Sequence, residues 1–232
     1  MSGARFGRGG RVFGAIWDLD GTLVDTEANH YAGWQGLMRE HGRELTYQQF
    51  LPTFGRRNED VLRDFLGFDE SSQRLAVLGA RKEELFCASL ERDGVRMQPG
   101  ARALVEHFRA LGVPQVIASS APPSNIALIV RLLGLGDRFA ALVSGEEVAH
   151  GKPAPDIVLR AAERLSLPAA RTVVLEDAPA GVAAGKAAGS RVVALAAGFP
   201  AESLVAADLL VRSFDEVLWP LDRWESFIGS GR

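Results

Sequence analysis

The chain has 232 residues, 47% of them hydrophobic and 24% charged, with 26 Lys and Arg against 29 Asp and Glu for a formal charge of −3. That usage is globular and suits one large domain or two small ones. It leaves no basic surplus for nucleic acid, and no apolar run approaches the ~18 residues that cross a bilayer. Cys87 is the only cysteine, so an internal disulfide or a cysteine-based metal cluster is excluded. A reducing, cytoplasmic setting is the expectation, with neither nucleic acid nor membrane as partner. Residues 1–11 are rich in Gly and Arg, with no apolar segment behind the charges. They read as a flexible leader rather than a secretory signal or a nucleic-acid arm.

The first apolar run is Val12–Trp17. Residues 28–96 then carry helical patterns (Tyr31–His41, Glu59–Leu66, Ser71–Leu90) and no convincing strand. Beyond them come Ala101–Leu111, with Leu104, Val105, Phe108 and Leu111 on one stripe, and the apolar runs Gln115–Ser119 and Ala141–Ser144. Asp156–Leu165 follows, with a predicted stripe of Ile157, Leu159, Ala161, Ala162 and Leu165. Thr172–Glu176, a helix over Ala180–Ala188 stopped by Gly189, Arg191–Leu195 and Leu209–Val211 complete the alternation. Apolar runs without alternation are how strands covered on both faces read. The fold class is therefore α/β: a doubly wound, Rossmann-like parallel sheet with an inserted helical cap. The expected division is a core of 12–27 and 97–232 and a cap of 28–96, joined by linkers at Leu23–Ala28 and Arg92–Pro99. Trp219, Trp224 and Phe227 are expected to pack on the core, a dimer contact being the alternative.

Four short pieces carry chemistry. Asp18 and Asp20 close the first strand ahead of Gly21, where two carboxylates repel unless a cation or proton intervenes; an Asp-rich turn is the plain alternative. Glu176 and Asp177 close another strand, where they either join that cluster or cap the next helix. Four carboxylates in one crevice call for a divalent ion, and Mg²⁺ suits oxygen ligands. Lys152, in Gly151-Lys152-Pro153-Ala154-Pro155-Asp156, either neutralises such a cluster and holds phosphate or is a solvated surface lysine. Ser119 either binds a phosphate oxygen or is an ordinary N-cap.

In this order and on these strand ends, the four pieces resemble the haloacid dehalogenase-type phosphohydrolases, in particular the β-phosphoglucomutase-like branch with its small helical cap. The resemblance runs from about Val12 to Val217. It implies Asp18 as nucleophile, forming an aspartyl-phosphate, and Asp20 as general acid and base. It implies Mg²⁺ held by Asp18, the backbone carbonyl of Asp20 and Asp177, with Glu176 nearby through water, and Ser119 and Lys152 on the phosphate. A carboxylate at position 20 points to an oxygen leaving group rather than a halide. In the cap, Thr26 and His30 fall where that branch has a hinge threonine and a histidine beside the acid/base; His30 packing beside Trp34 is the alternative. Lys82 resembles a cap lysine that reaches substrate, with Arg81 or a surface role as alternatives. The stretch Phe54-Gly55-Arg56-Arg57-Asn58-Glu59-Asp60 resembles the cap specificity loop, but Asn58 stands where the mutase grips a second phosphate with arginine; compensation by Arg57 or Arg56 through a shifted loop is the alternative. The resemblance thus implies a Mg²⁺-dependent phosphatase of a sugar or polyol phosphate, monomeric, with a sugar phosphomutase as the alternative. The role of Asn125, displaced by the extra residues around Pro122-Pro123, is left open.

Overall fold

The computed structural model describes residues 13–53, 56, 58–65, 67 and 71–229. The leader expected at residues 1–11 lies outside them. In chain order the elements are β1 (Gly14–Trp17), β2 (Val24–Asp25), α1 (Glu27–Glu40), α2 (Tyr47–Phe50), α3 (Asn58–Asp60), α4 (Ser72–Asp93), β3 (Arg96–Met97) and α5 (Ala101–Ala110). They continue with β4 (Gln115–Ser119), α6 (Pro123–Leu133), β5 (Ala141–Ser144), α7 (Asp156–Arg164), β6 (Thr172–Glu176), α8 (Pro179–Ala187), β7 (Arg191–Leu195), β8 (Leu209–Val211) and α9 (Leu221–Gly229).

Six strands form one parallel sheet in the order β5-β4-β1-β6-β7-β8. Strands β1, β4 and β6 are buried along their whole length, as their unbroken apolar character requires. The pleat sorts alternate residues to opposite faces. Ala15, Trp17, Ile117, Val173 and Leu175 pack in one cluster with Phe108 of α5, Ile129 of α6 and Trp224 of α9. Ile16, Val116, Ala118 and Val174 pack in another with Val158 of α7 and Val182 of α8. The C-terminal aromatics join the first cluster: Trp224 is fully buried, and Trp219 and Phe227 pack against it. The stripe predicted for α7 needs one correction. Leu159 is 47% exposed and Val158 takes the inward position, because 3.6-residue spacing aligns Val158 with Ala161 and Ala162.

Helices α1, α2 and α4, with the helical turn Val61–Phe65, enclose a third cluster built on Trp34, Leu37, Phe50, Leu62 and Leu75. The C-terminal half of α4 also reaches the sheet's core through Phe86 and Leu90. The chain enters and leaves this helical insert through β2 and β3, which pair antiparallel as Val24 with Met97 and Asp25 with Arg96. The two stretches read as linkers are thus joined to each other, a ladder too short for periodicity to reveal.

Candidate active site

The strand register explains why residues far apart in sequence meet. Trp17 is paired with Leu175, and the ladder runs one step further as the Asp18 N–H donates to the Leu175 carbonyl (3.0 Å). Asp18 is thereby set beside Glu176, the last residue of β6, at the carboxyl ends of adjacent central strands, where open α/β sheets bind ligands. Carboxylate oxygens of Asp18, Glu176 and Asp177 all lie within 4.8 Å of one another, and all three residues are buried. The Lys152 ammonium donates to Asp18 Oδ1 (2.5 Å) and Glu176 Oε1 (2.6 Å). Glu176 Oε2 accepts from the backbone N–H groups of Asp177 (2.7 Å) and Ala178 (2.8 Å). The Thr22 hydroxyl donates to Asp177 Oδ1 (2.7 Å). Neither Lys152 nor Glu176 is a solvated or merely capping residue.

One ammonium faces three enclosed carboxylates, so the cluster is short of positive charge. Burial pushes Asp18 up to about 7, with Lys152 pulling it down and Glu176 pushing it further up. Burial, then Glu176 and Asp18, raise Asp177 well above the carboxylate range. Burial alone would lower Lys152, but Asp18 and Glu176 override it and keep the ammonium charged. Uncompensated charge of this kind is what a hard divalent cation relieves, and the all-oxygen donor set fits one.

Two glycines make the cluster possible. Gly21 has φ +88°, and a Cβ there would fall 2.3 Å from Asp177 Oδ2. A Cβ on Gly181 would fall 1.5 Å from Glu176 Oε1. Gly181→Ala is therefore expected to drive Glu176 off Lys152 and its two backbone donors. The expected cost is about 1–3 kcal/mol in chemical denaturation. Unchanged stability would mean that Glu176 is not pinned as described.

The Asp20 carboxylate is not one of the three in that cluster and is held by other partners. Its Oδ1 accepts from the Thr26 hydroxyl (2.6 Å) and meets His30 Nε2 (3.3 Å). On the other side of the ring, the Lys82 ammonium lies 2.9 Å from His30 Nδ1. An ammonium can only donate, so Nδ1 is an acceptor and Nε2 carries the proton that points to Asp20. Burial and Lys82 both hold His30 below its ordinary value, consistent with a neutral ring. Burial would raise Asp20, but the His30 and Thr26 hydrogen bonds and the Lys82 charge outweigh it, and the carboxylate sits low. His30 stacks on Phe86 (centroids 4.1 Å apart) rather than merely packing beside Trp34.

Lys82 is 2% exposed and lies over the Trp34 and Phe86 rings, so the surface reading fails. Arg81, the alternative, faces outward to Glu40 and Glu84. Ser119 ends β4 in a buried position and accepts from the Ala121 N–H (3.1 Å). Asn58 Nδ2 donates to Glu83 Oε1 (2.7 Å), and Gly55 and Arg57 lie outside the described residues. Asp18, Asp20, Ser119, Lys152, Glu176 and Asp177 line a cleft of about 840 Å³ together with His30, Asn58 and Lys82. Sequence reasoning missed Glu83, which also lines the cleft, and left Asn125 without a role; Asn125 Nδ2 donates to Glu83 Oε2 (2.5 Å). The signal available was a Lys-Glu pair on a helix opposite two asparagines, which only the tertiary fold brings together.

A profile of the haloacid dehalogenase-like hydrolases matches residues 14–189. Hexitol phosphatase A of Escherichia coli (strain K12) is 34% identical over 89% of this chain and 94% of its own length. The β-phosphoglucomutase of Mycobacterium bovis is 32% identical over 79% of this chain and 80% of its own. Among solved structures, CbbY from Rhodobacter sphaeroides in complex with phosphate matches with a TM-score of 0.80 at 26% identity, covering 89% of this chain and 96% of that one. A parallel sheet with an acidic crevice at its strand ends and a helical insert lining the same cleft defines an α/β protein with a ligand site at the carboxyl ends of its central strands. The chain belongs to the haloacid dehalogenase-like hydrolases, and it is an enzyme of the phosphatase kind.

Proposed function

We propose that the enzyme is a Mg²⁺-dependent phosphatase of a small phosphorylated sugar or polyol, working through an aspartyl-phosphate. The observation that carries this is the pairing of two carboxylates in different states. Asp18 is buried in a cluster short of positive charge, and Asp20 is held ionised by His30 and Thr26 on the cap side of the same cleft. Asp18 Oδ attacks phosphorus, and Lys152 and Ser119 hold the phosphate oxygens in line. Asp20, ionised in the free enzyme, takes up a proton from solvent as the arriving phosphate dianion raises its proton affinity by like charge, and gives that proton to the departing ester oxygen. The same carboxylate then takes a proton from the water that cleaves the aspartyl-phosphate. Asp18, Asp177, Glu176 and the Asp20 carbonyl would hold Mg²⁺, which supplies neutralisation of charge on the phosphate. The pairing of β2 with β3 and the cluster enclosed by the insert's helices support a division into a core of 12–27 and 97–232 and a cap of 28–96. Hydrolysis is favoured over mutase action because Asn58, beside Glu83, gives a second phosphate no cationic grip.

The test is a panel of phosphorylated sugars, polyols and nucleotides assayed with Mg²⁺ for released phosphate. β-Glucose 1-phosphate with a trace of bisphosphate should yield free phosphate and no glucose 6-phosphate. Glucose 6-phosphate as the main product would establish the mutase instead. Chelator should abolish release. The proton balance predicts a second signature. Asp18 and Asp177 bind protons more tightly folded than unfolded, so the cation-free protein loses stability from them as pH rises from about 4 through 7. Mg²⁺ competes with those protons. Near 100 times its Kd it should add about 2.7 kcal/mol, or roughly 5–10 °C, with the larger shift at pH 8 than at pH 5.5. Thermal melts without a Mg²⁺ shift at either pH would remove the ion from the site.

A further inference from the structure

The cleft holds a second polar array that the chemistry at Asp18 leaves unused. Glu83, on α4, is mostly enclosed, and its carboxylate accepts from donors on three elements. These are Asn58 Nδ2 of α3 (2.7 Å), Lys82 Nζ of α4 (2.9 Å) and Asn125 Nδ2 of α6 (2.5 Å). Asn125 belongs to the sheet-bearing part of the chain and the others to the helical insert, so Glu83 ties the two walls of the cleft together. All four residues line it. Through Lys82 and His30 the array stands three hydrogen bonds from the Asp20 carboxylate. It therefore faces the far end of a small molecule whose ester oxygen sits at Asp20.

Two carboxamides and a carboxylate offer both N–H donors and lone pairs, the inventory that matches neighbouring hydroxyl groups. The same carboxylate is hostile to anions. Burial would raise Glu83, but the Lys82 charge and the hydrogen bonds from Asn58 and Lys82 outweigh it and hold the carboxylate low. The Lys82 ammonium is already shared between Glu83 and His30. A phosphate dianion placed here would meet a fixed like charge, and the neighbouring ammonium is already engaged. Among the described residues, Arg56 also lines the cleft.

We infer that Asn58, Glu83 and Asn125 form a hydroxyl-recognising subsite whose carboxylate rejects a second phosphate, so that the substrate is a monophosphate with an uncharged polyol end. This deepens the phosphatase reading and rests on it for the position of the reacting phosphate. The test is calorimetric binding with Mg²⁺ in full-length Asp18→Asn protein, where turnover is blocked, using sorbitol 6-phosphate and fructose 1,6-bisphosphate as probes. The monophosphate should bind at least about tenfold more tightly, and adding Glu83→Gln should shrink that preference at least about tenfold. Asn58→Lys, which sets a cation beside Glu83, should shrink it by an independent route. A bisphosphate that binds as well as the monophosphate, or a preference moved by neither substitution, overturns the subsite. Phosphate release by the wild-type enzyme is read separately. Discrimination in binding without release supports the subsite and sinks hydrolysis; release without discrimination does the reverse.

Discussion

Asp18→Asn releases no phosphate from p-nitrophenyl phosphate above background, a loss of at least about 10⁴-fold, or roughly 5 kcal/mol of transition-state stabilisation. An amide of the same shape cannot attack phosphorus, and p-nitrophenolate leaves without help, so this substrate isolates the attacking step. The fold is expected to survive. Asp18 is buried beside two further carboxylates with one ammonium among them, and burial already pushes it up to about 7. Replacing it with a neutral group removes repulsion, while Lys152 keeps its bond to Glu176. Cation-free variant at pH 8 should therefore melt no lower than wild type, and Mg²⁺ should raise its melting temperature less. Retention of even one hundredth of wild-type turnover by a correctly folded variant would exclude Asp18 as the nucleophile.

Asp20→Ala should slow steady-state turnover of the same substrate by about 10²–10⁴-fold and leave the enzyme carrying a phosphoryl group. Attack by Asp18 does not require Asp20 when the leaving group is a good one. The water that must then cleave the aspartyl-phosphate has lost its base, so the intermediate accumulates. Intact-mass measurement after rapid quenching would detect one added phosphoryl group. With a sugar or polyol phosphate, whose alkoxide is a poor leaving group, both halves suffer and no phosphoenzyme should build up. The contrast between the two substrates is the diagnostic. Equal slowing without a trapped intermediate on p-nitrophenyl phosphate would move Asp20 out of the second step.

The sheet was legible in the sequence because each central strand is an uninterrupted apolar run, and burial on both faces permits nothing else. The acidic cluster was legible for a related reason. Asp18, Glu176 and Asp177 sit where those runs stop, and parallel strands bring their ends to one edge. The cap was different. Its longest helix buries Lys82, Ser89 and Gly79 along with Leu75, Leu78 and Phe86, so its inward stripe is chemically mixed. Composition at position 82 cannot distinguish an exposed lysine from one enclosed by two aromatic rings, a histidine and a glutamate. Glu83 escaped notice because its partners, Asn58 and Asn125, are 25 and 42 residues away on separate elements. No spacing rule links them; only the closeness of α3, α4 and α6 does. Asn58 was noticed solely because arginine was expected there.

The ladder between Val24–Asp25 and Arg96–Met97 has one more implication. Everything between Asp25 and Arg96 enters and returns at paired positions, about one strand spacing apart. Topologically those residues are an overgrown hairpin loop. A two-residue Asn-Gly turn could rejoin the same pair, and so could a longer bundle whose ends lie equally close. The lid over the crevice is thus joined by one two-stranded stem, and an exchanged insert would also have to supply the core packing that Phe86 and Leu90 provide, while the acidic strand ends beneath stay where the sheet puts them.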